Sequence, residues 1–469
     1  MDHAASRRRG APLSALLAGL ALSLILSGCA TYSDSFGTIQ NSLASQKYDN
    51  ALKDIEKQSG DKTDRVLYLL NKGMVLRMKR DFAGSNQALE AAKAEMDRLY
   101  AVSVSQNAMS FLINDSTVSY GGEDYEQVLV HLYMALNYLE LGQKDEARVE
   151  ALQVDLKLRE ISSKLSGNRY ARDAFTLYLT GMIYEDLGER SDAMISYRDA
   201  YNAYKKYQSS YGTPMPDELK HDLLRMAQRL GLRDEAAQYS KEFGIPLQAT
   251  KGDPPKEGEL VFIFNNGLAP IKREKRSTMV APPPSVMTGN APAGPGVYVT
   301  IALPYYESQP NTVVAARISA ADKQVSTEPV ENLDAIARAS LDSHMAAITA
   351  RSIARAVVKA KIQESVDRAG QNRNNNDAGA ALLGSIFVRV AAVATERADT
   401  RSWLTLPAEI QLAQMHLPPG EYTIKVELLD ASGQVVNSRE YPGFVITEGH
   451  MTYLTEHWTP PVTHPPARR

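Results

Sequence analysis

The chain has 469 residues, 44% of them hydrophobic, with 52 Lys and Arg against 55 Asp and Glu, a net charge of -3 and a single cysteine. These values exclude a disordered tail, a multispan membrane protein and a disulfide framework, and they leave no basic footprint for nucleic acid. The length allows two or three domains of roughly 100–200 residues.

Arg7, Arg8 and Arg9 precede an apolar to weakly polar run of fourteen residues, Leu13 to Leu26, which ends at Leu26-Ser27-Gly28-Cys29. A membrane span needs roughly 20 apolar residues, whereas a signal h-region needs about 7–15. Residues 1–28 therefore read as a secretory signal with small residues before the cut. The four-residue motif resembles the lipobox of bacterial lipoproteins. That resemblance implies cleavage before Cys29, a diacylglycerol on its sulfur and an acyl chain, typically palmitate, on the new amino terminus. Several buried chains anchor a protein that one chain holds only marginally. Ala30 follows in place of Asp, which in lipoprotein sorting implies the periplasmic face of the outer membrane. The signal removes a charge of +2 and leaves -5 on the remaining 441 residues, with residues 29–37 as a tether.

Helical spacing dominates residues 38–245. Gly181, Tyr184, Gly188, Ala193, Tyr197 and Ala200 fall at tetratricopeptide offsets. Ala135, Tyr138, Gly142 and Ala147 repeat them, as do Gly73, Leu76, Phe82, Ser85, Leu89 and Ala92, and a weaker copy carries Gly231 and Ala236. The anchor positions lie 62 and 46 residues apart and not the usual 34, so the array is interrupted, with an insertion over residues 100–123. Small residues on both helices let the backbones approach while Tyr and Leu fill the gaps. Leu67, Leu70 and Met74, then Leu129, Leu132 and Leu136, then Phe175, Tyr178 and Met182 make an inward stripe. Such a stripe is either core or a groove for a partner's peptide, and Leu132, Leu136, Phe175, Tyr178 and Met182 are the candidate contacts.

Residues 246–256 form a linker marked by Gly252-Asp253-Pro254-Pro255. Beyond it, short apolar runs predict strands at 259–264, 297–303, 313–319, 421–429, 434–438, 444–447 and 451–455, with hairpin chemistry at Asp430-Ala431-Ser432-Gly433. The expected fold is α+β: an interrupted TPR-like array, then a small β-sandwich-like domain over 257–458, then a tail over 459–469. A proline-rich loop at 281–296 and an Ala-rich helical insertion at 329–399 break the β region. Arg351, Arg355 and Lys359 form a basic stripe on that insertion, either a solvated or ion-paired face or a dock for an acidic partner or polymer. The cluster Glu396, Arg397, Asp399 and Arg401 before Trp403 reads as an ion-paired helix end.

Gly122-Glu123-Asp124-Tyr125-Glu126 leading to His131 and Ala135-Leu136-Asn137-Tyr138-Leu139, with Ala398-Asp399-Thr400-Arg401-Ser402-Trp403, Leu406-Pro407 and Leu417-Pro418-Pro419-Gly420, resembles a family of proteobacterial envelope lipoproteins. The resemblance implies a tetratricopeptide half before a β-rich half, with a loose link to peptidoglycan synthesis and no assigned chemistry. The eight histidines show no metal-ligand spacing, and nucleotide, nucleophile-elbow and thiol motifs are missing, so no catalytic residue, metal or cofactor is proposed. The expected role is a non-enzymatic scaffold or regulator binding a periplasmic or outer-membrane protein. The alternative is binding or processing of an envelope polymer, peptidoglycan included, through the β-rich half.

Overall fold

A computed structural model describes residue 32 and residues 36–105, 118–164, 173–247, 257–281, 297–371 and 397–462. Cys29, the proline-rich loop at 282–296 and the Asn-rich stretch at 372–376 lie outside the described residues. Among the described residues, ten helices of the amino-terminal half have these bounds: α1 (Gly37–Ala44), α2 (Tyr48–Glu56), α3 (Arg65–Met78), α4 (Phe82–Ser105), α5 (Asp124–Glu140), α6 (Lys144–Lys164), α7 (Ala174–Asp186), α8 (Arg190–Tyr211), α9 (Asp217–Arg229) and α10 (Arg233–Phe243).

They pair into five hairpins closed by one turn design. Gly142, Gly188 and Gly231 take left-handed φ values of 72°, 81° and 72° at the turns of the last three hairpins, and Gln46 and Arg80 take 57° and 67° at the first two. Each is followed by a backbone N–H that reaches five residues back: Lys47 to Ser42 O, Asp81 to Leu76 O, Gln143 to Tyr138 O, Glu189 to Tyr184 O and Leu232 to Ala227 O, all within 2.8–2.9 Å. This is the Schellman closure, in which a left-handed residue lets the orphan carbonyls of a helix end find donors. The small residues do the expected work inside the hairpins. A Cβ on Gly181 would stand 2.3 Å from the Tyr197 ring, and one on Gly73 would stand 2.7 Å from Leu89 Cδ2. The hairpin α1–α2 is missed by the sequence pattern because Gln46 occupies the turn position where glycine is expected.

The second half contains β1 (Gly258–Asn266), β2 (Ile271–Ala281), β3 (Val297–Glu307), β4 (Val313–Ala320), β5 (Lys323–Ser326), β6 (Glu328–Asn332), α11 (Leu333–Gln371), β7 (Glu409–Leu417), β8 (Gly420–Asp430), β9 (Val435–Ile446) and β10 (Met451–Trp458). One sheet runs β10-β1-β7-β6, a second runs β5-β4-β8-β9, and β2 pairs with β3 alone. The helical insertion begins at Leu333 and not at Pro329, because Glu328–Asn332 pairs with β7 as an edge strand. Strands expected at 434–438 and 444–447 are the two ends of β9, whose register against β8 shifts twice.

The β1 run Leu260-Val261-Phe262-Ile263-Phe264 is apolar at every position because both its faces are covered. Leu260, Phe262 and Phe264 share an apolar cluster with Ile318, Val426 and Leu428 of the second sheet. Val261 and Ile263 instead join the cluster that contains the helical hairpins. The first sheet therefore lies between the second sheet and the helices.

Candidate functional site

The inward helical stripe is filled by the chain's own sheet. Leu132, Leu136, Phe175, Tyr178 and Met182 are all buried, in one cluster with Val261, Ile263, Ile410, Leu412 and Tyr453. Polar atoms in the same layer are matched across it: Tyr133 donates to Asn265 Oδ1 at 2.9 Å, and the Tyr178 hydroxyl lies 2.7 Å from Asp222 Oδ2 and 3.0 Å from Gln414 Oε1. This corrects the open-groove reading. The physical reason is that β1 and β7 bury both faces, so the array's apolar side is the cover one of those faces requires.

Two of the motifs without assigned chemistry converge, Gly122 to Glu126 and Ala398 to Trp403. A cleft of about 480 Å³ is walled by residues 118–124, by Lys272, Ala302 and Pro304 of the β2–β3 hairpin, by His344, Ile348, Arg351, Ser352 and Arg355 of α11, and by Ala398, Asp399 and Arg401. Its floor is the start of α5. Glu123 and Glu126 form a capping box there, with Glu126 Oε2 accepting the Glu123 N–H at 3.1 Å. Glu126 also accepts the Tyr120 hydroxyl at 2.6 Å and, through Oε1, the Trp403 N–H at 2.7 Å. Burial, then the nearby Glu123 charge, pushes its carboxyl up to about 7 despite those donors.

Two cations lock the walls. Lys272 is buried against the Glu123 carboxylate, with its ammonium 5.8 Å from the centre of the Tyr306 ring. Burial alone would lower its affinity for a proton, but Glu123, Tyr306 and Asp399 outweigh that and raise it. Arg401 reaches Asp64 Oδ1 at 2.9 Å and Asp399 Oδ2 at 2.6 Å and lies over the Tyr120 ring at 5.2 Å. Arg401 and Asp399 are thus ion-paired as expected, though in an irregular segment and not at a helix end. Glu396 lies outside the described residues.

The basic stripe of α11 is split by its packing. Arg351 is exposed, Arg355 is buried with Nη2 3.2 Å from Ser352 Oγ, and Lys359 is half-buried. Arg351 and Arg355 face the cleft, opposite Asp124, whose Oδ2 lies 3.4 Å from His344 Nε2. The arrangement can hold a charged group between its walls. Among the described residues no cluster of three His, Cys, Asp or Glu could hold a metal ion. Nor is any described helix long and apolar enough to cross a membrane.

Sequence reasoning singled out Glu123, Asp124, Asp399, Arg351 and Arg355 but not Lys272. The Lys-Arg-Glu-Lys-Arg run that contains Lys272 reads as solvated surface, and only pairing with β3 carries its first lysine inward.

No family model matches the chain, and no curated protein matches it. Among solved structures it is similar to MamA in three crystal forms or variants. One covers 44% of this chain and 87% of its own at 15% identity and a TM-score of 0.27. A form from AMB-1 covers 45% and 90% at 13% identity and a TM-score of 0.26. A MamA variant covers 44% and 91% at 14% identity and a TM-score of 0.25. Likeness at that level is too low to bear on fold or function.

Proposed function

We propose that this chain is a periplasmic lipoprotein anchored in the outer membrane through Cys29, and that it serves as a non-enzymatic binding scaffold or regulator in cell-envelope assembly linked to peptidoglycan synthesis. Its hairpins are read as an interrupted tetratricopeptide-like array and its two larger sheets as a sandwich-like module. The observation that carries the reading is the charged cleft, whose walls come from both halves of the chain. Its buried cations Lys272 and Arg401 pair with the half-buried carboxylates of Glu123, Asp64 and Asp399 and so fix the walls, while Arg351 stands exposed on the cleft side of α11.

The test is capture of envelope proteins by the mature, unlipidated protein and by an Arg351→Glu, Arg355→Gln variant. Specific retention of one protein by the first and not the second is expected. A second reading, binding of an envelope polymer, draws on Arg351 and Arg355 in the cleft. Cosedimentation with purified peptidoglycan that disappears in the same variant, without any protein captured, would select it. For the anchor, Cys29→Ser should release the protein from the outer-membrane fraction; retention at the wild-type level would reject lipid as the tether.

A further inference from the structure

We infer that the seam where α9 meets the first sheet is a proton-operated latch: Glu259 of β1 holds a proton while the last described hairpin, α9–α10, lies closed on the sheet, and it ionises when that hairpin opens. Alternation along β1 turns Glu259 to the same side as Val261 and Ile263, toward the helices. Glu259 is buried there, and its carboxyl has no hydrogen bond or ion pair among the described residues. The seam itself is polar. At the start of α9, Glu328 of β6 accepts the N–H groups of Asp217 at 2.9 Å and Glu218 at 3.3 Å, and the Tyr178 hydroxyl bridges Asp222 of α9 to Gln414 of β7.

The charges around Glu259 do not balance. From the helical side α7 brings Glu185, and α9 brings Glu218, Asp222 and Arg225. Arg225 pairs with both Glu185 and Asp222, Arg229 reaches Glu185 at 3.3 Å, and the Glu218 side chain has no partner among the described residues. Four carboxyls, Glu259 included, thus share two guanidiniums. The sheet supplies no third cation. His416 of β7, opposite Glu259, is held below its ordinary 6.5 by partial burial and then by the Arg225 charge, while burial keeps the Tyr453 hydroxyl of β10 protonated. Lys323 of β5 is taken by Glu257 at 3.2 Å and the His416 carbonyl at 2.6 Å, and Lys220 of α9 by Asp217 at 2.5 Å. A buried carboxyl without a partner neutralises instead of staying charged, so the closed seam keeps its excess carboxyls protonated. Burial and then Asp222 raise Glu259 well above the usual carboxyl range and Glu218 to about 7.

Once the hairpin opens, both carboxyls return to an ordinary 4.5, so between that value and the closed one closing takes up protons. Closure is complete below about pH 4.5 and weakens progressively as pH rises through 7. Opening bares Leu219, Leu223 and Met226, the buried face of α9, which makes the latch a means of exposing an apolar surface on loss of acid.

The experiment is deuterium exchange of the mature, unlipidated chain at pH 5, 6 and 7, corrected for intrinsic exchange. Protection of α9 and α10 should fall about tenfold per pH unit for each proton released on opening, while α3 and α4 change less. Glu259→Gln keeps the size of the side chain and removes its charge, so it should take about one factor of ten per pH unit out of that slope. Glu218→Gln, at a half-buried position, is the second variant and should act in the same direction. A slope in α9 and α10 untouched by either substitution would overturn the inference. So would an equal loss of protection in α3 and α4, because the pH dependence would then belong to global unfolding driven by carboxyls elsewhere.

Discussion

At the scale of single residues, Glu126 is a buried group whose protonation the fold feels directly. Its carboxyl is held at about 7 against an ordinary 4.5, so between those values the folded chain binds a proton that the unfolded chain has released. That contribution to stability is complete below about pH 4.5 and is lost as pH rises through 7, by up to about 3 kcal/mol. Chemical denaturation from pH 5 to 8 should show the fall, and Glu126→Gln should flatten the slope by about one proton. A slope unchanged by the substitution would mean that other buried carboxyls, such as Glu331, dominate. The hairpin turns offer a second test. Gln46 is exposed and left-handed, where a side chain costs roughly 1–2 kcal/mol, so Gln46→Gly should stabilise by about 0.5–1 kcal/mol in the same assay. Gly181→Ala has the opposite sign, because its Cβ meets the Tyr197 ring; overpacking of this kind costs about 1–3 kcal/mol.

At the scale of elements, α7 shows what the inward stripe is for. Phe175, Tyr178 and Met182 face the sheet, and Tyr178 ties α7 to both α9 and β7 through Asp222 and Gln414. Phe175→Ala should therefore lower global stability by about 3–5 kcal/mol, as expected for an aromatic removed from a packed core, and not act as a selective binding defect. A fully stable variant that had lost a partner would reverse that conclusion. The same logic explains β7: Gln411 and Gln414 are buried in mid-strand yet satisfied, Gln411 donating to Val314 O at 2.8 Å and accepting from the Thr327 hydroxyl at 2.6 Å.

For the whole molecule, the shared apolar layer couples the halves. Asp186 accepts the Met451 N–H at 2.9 Å, Glu140 accepts the Thr455 N–H at 2.7 Å and Tyr204 donates to Val330 O at 3.0 Å, so the contacts between halves are hydrogen-bonded as well as apolar. The helical and β regions should unfold in one transition, with far-ultraviolet dichroism and the fluorescence of Trp403 and Trp458 coincident. Two separated midpoints would show that the layer is weaker than its burial implies. Residues 257–462 expressed alone should aggregate, since the face carrying Val261, Ile263, Ile410 and Leu412 would lie open to water.

The sequence by itself determined what is local. Helical spacing, the small residues at 73, 135 and 181, the Gly turns at 142, 188 and 231, the strands at β1, β4, β8 and β10 and the hairpin at Asp430 to Gly433 all follow from periodicity and backbone preference within a few residues. Partners distant in the chain were beyond it. Gln46 and Arg80 adopt a glycine-like turn that only the packed hairpin enforces, and β2, β6 and β7 carry too much charge or amide for their composition to announce a strand. The apolar stripe could be read as core or as groove until the sheet was seen to cover it. The cleft likewise exists only because Glu123, Lys272, Arg355 and Arg401 meet from four separate segments. Periodicity reports which face of an element is apolar, whereas what lies against that face depends on long-range packing, which no single segment encodes.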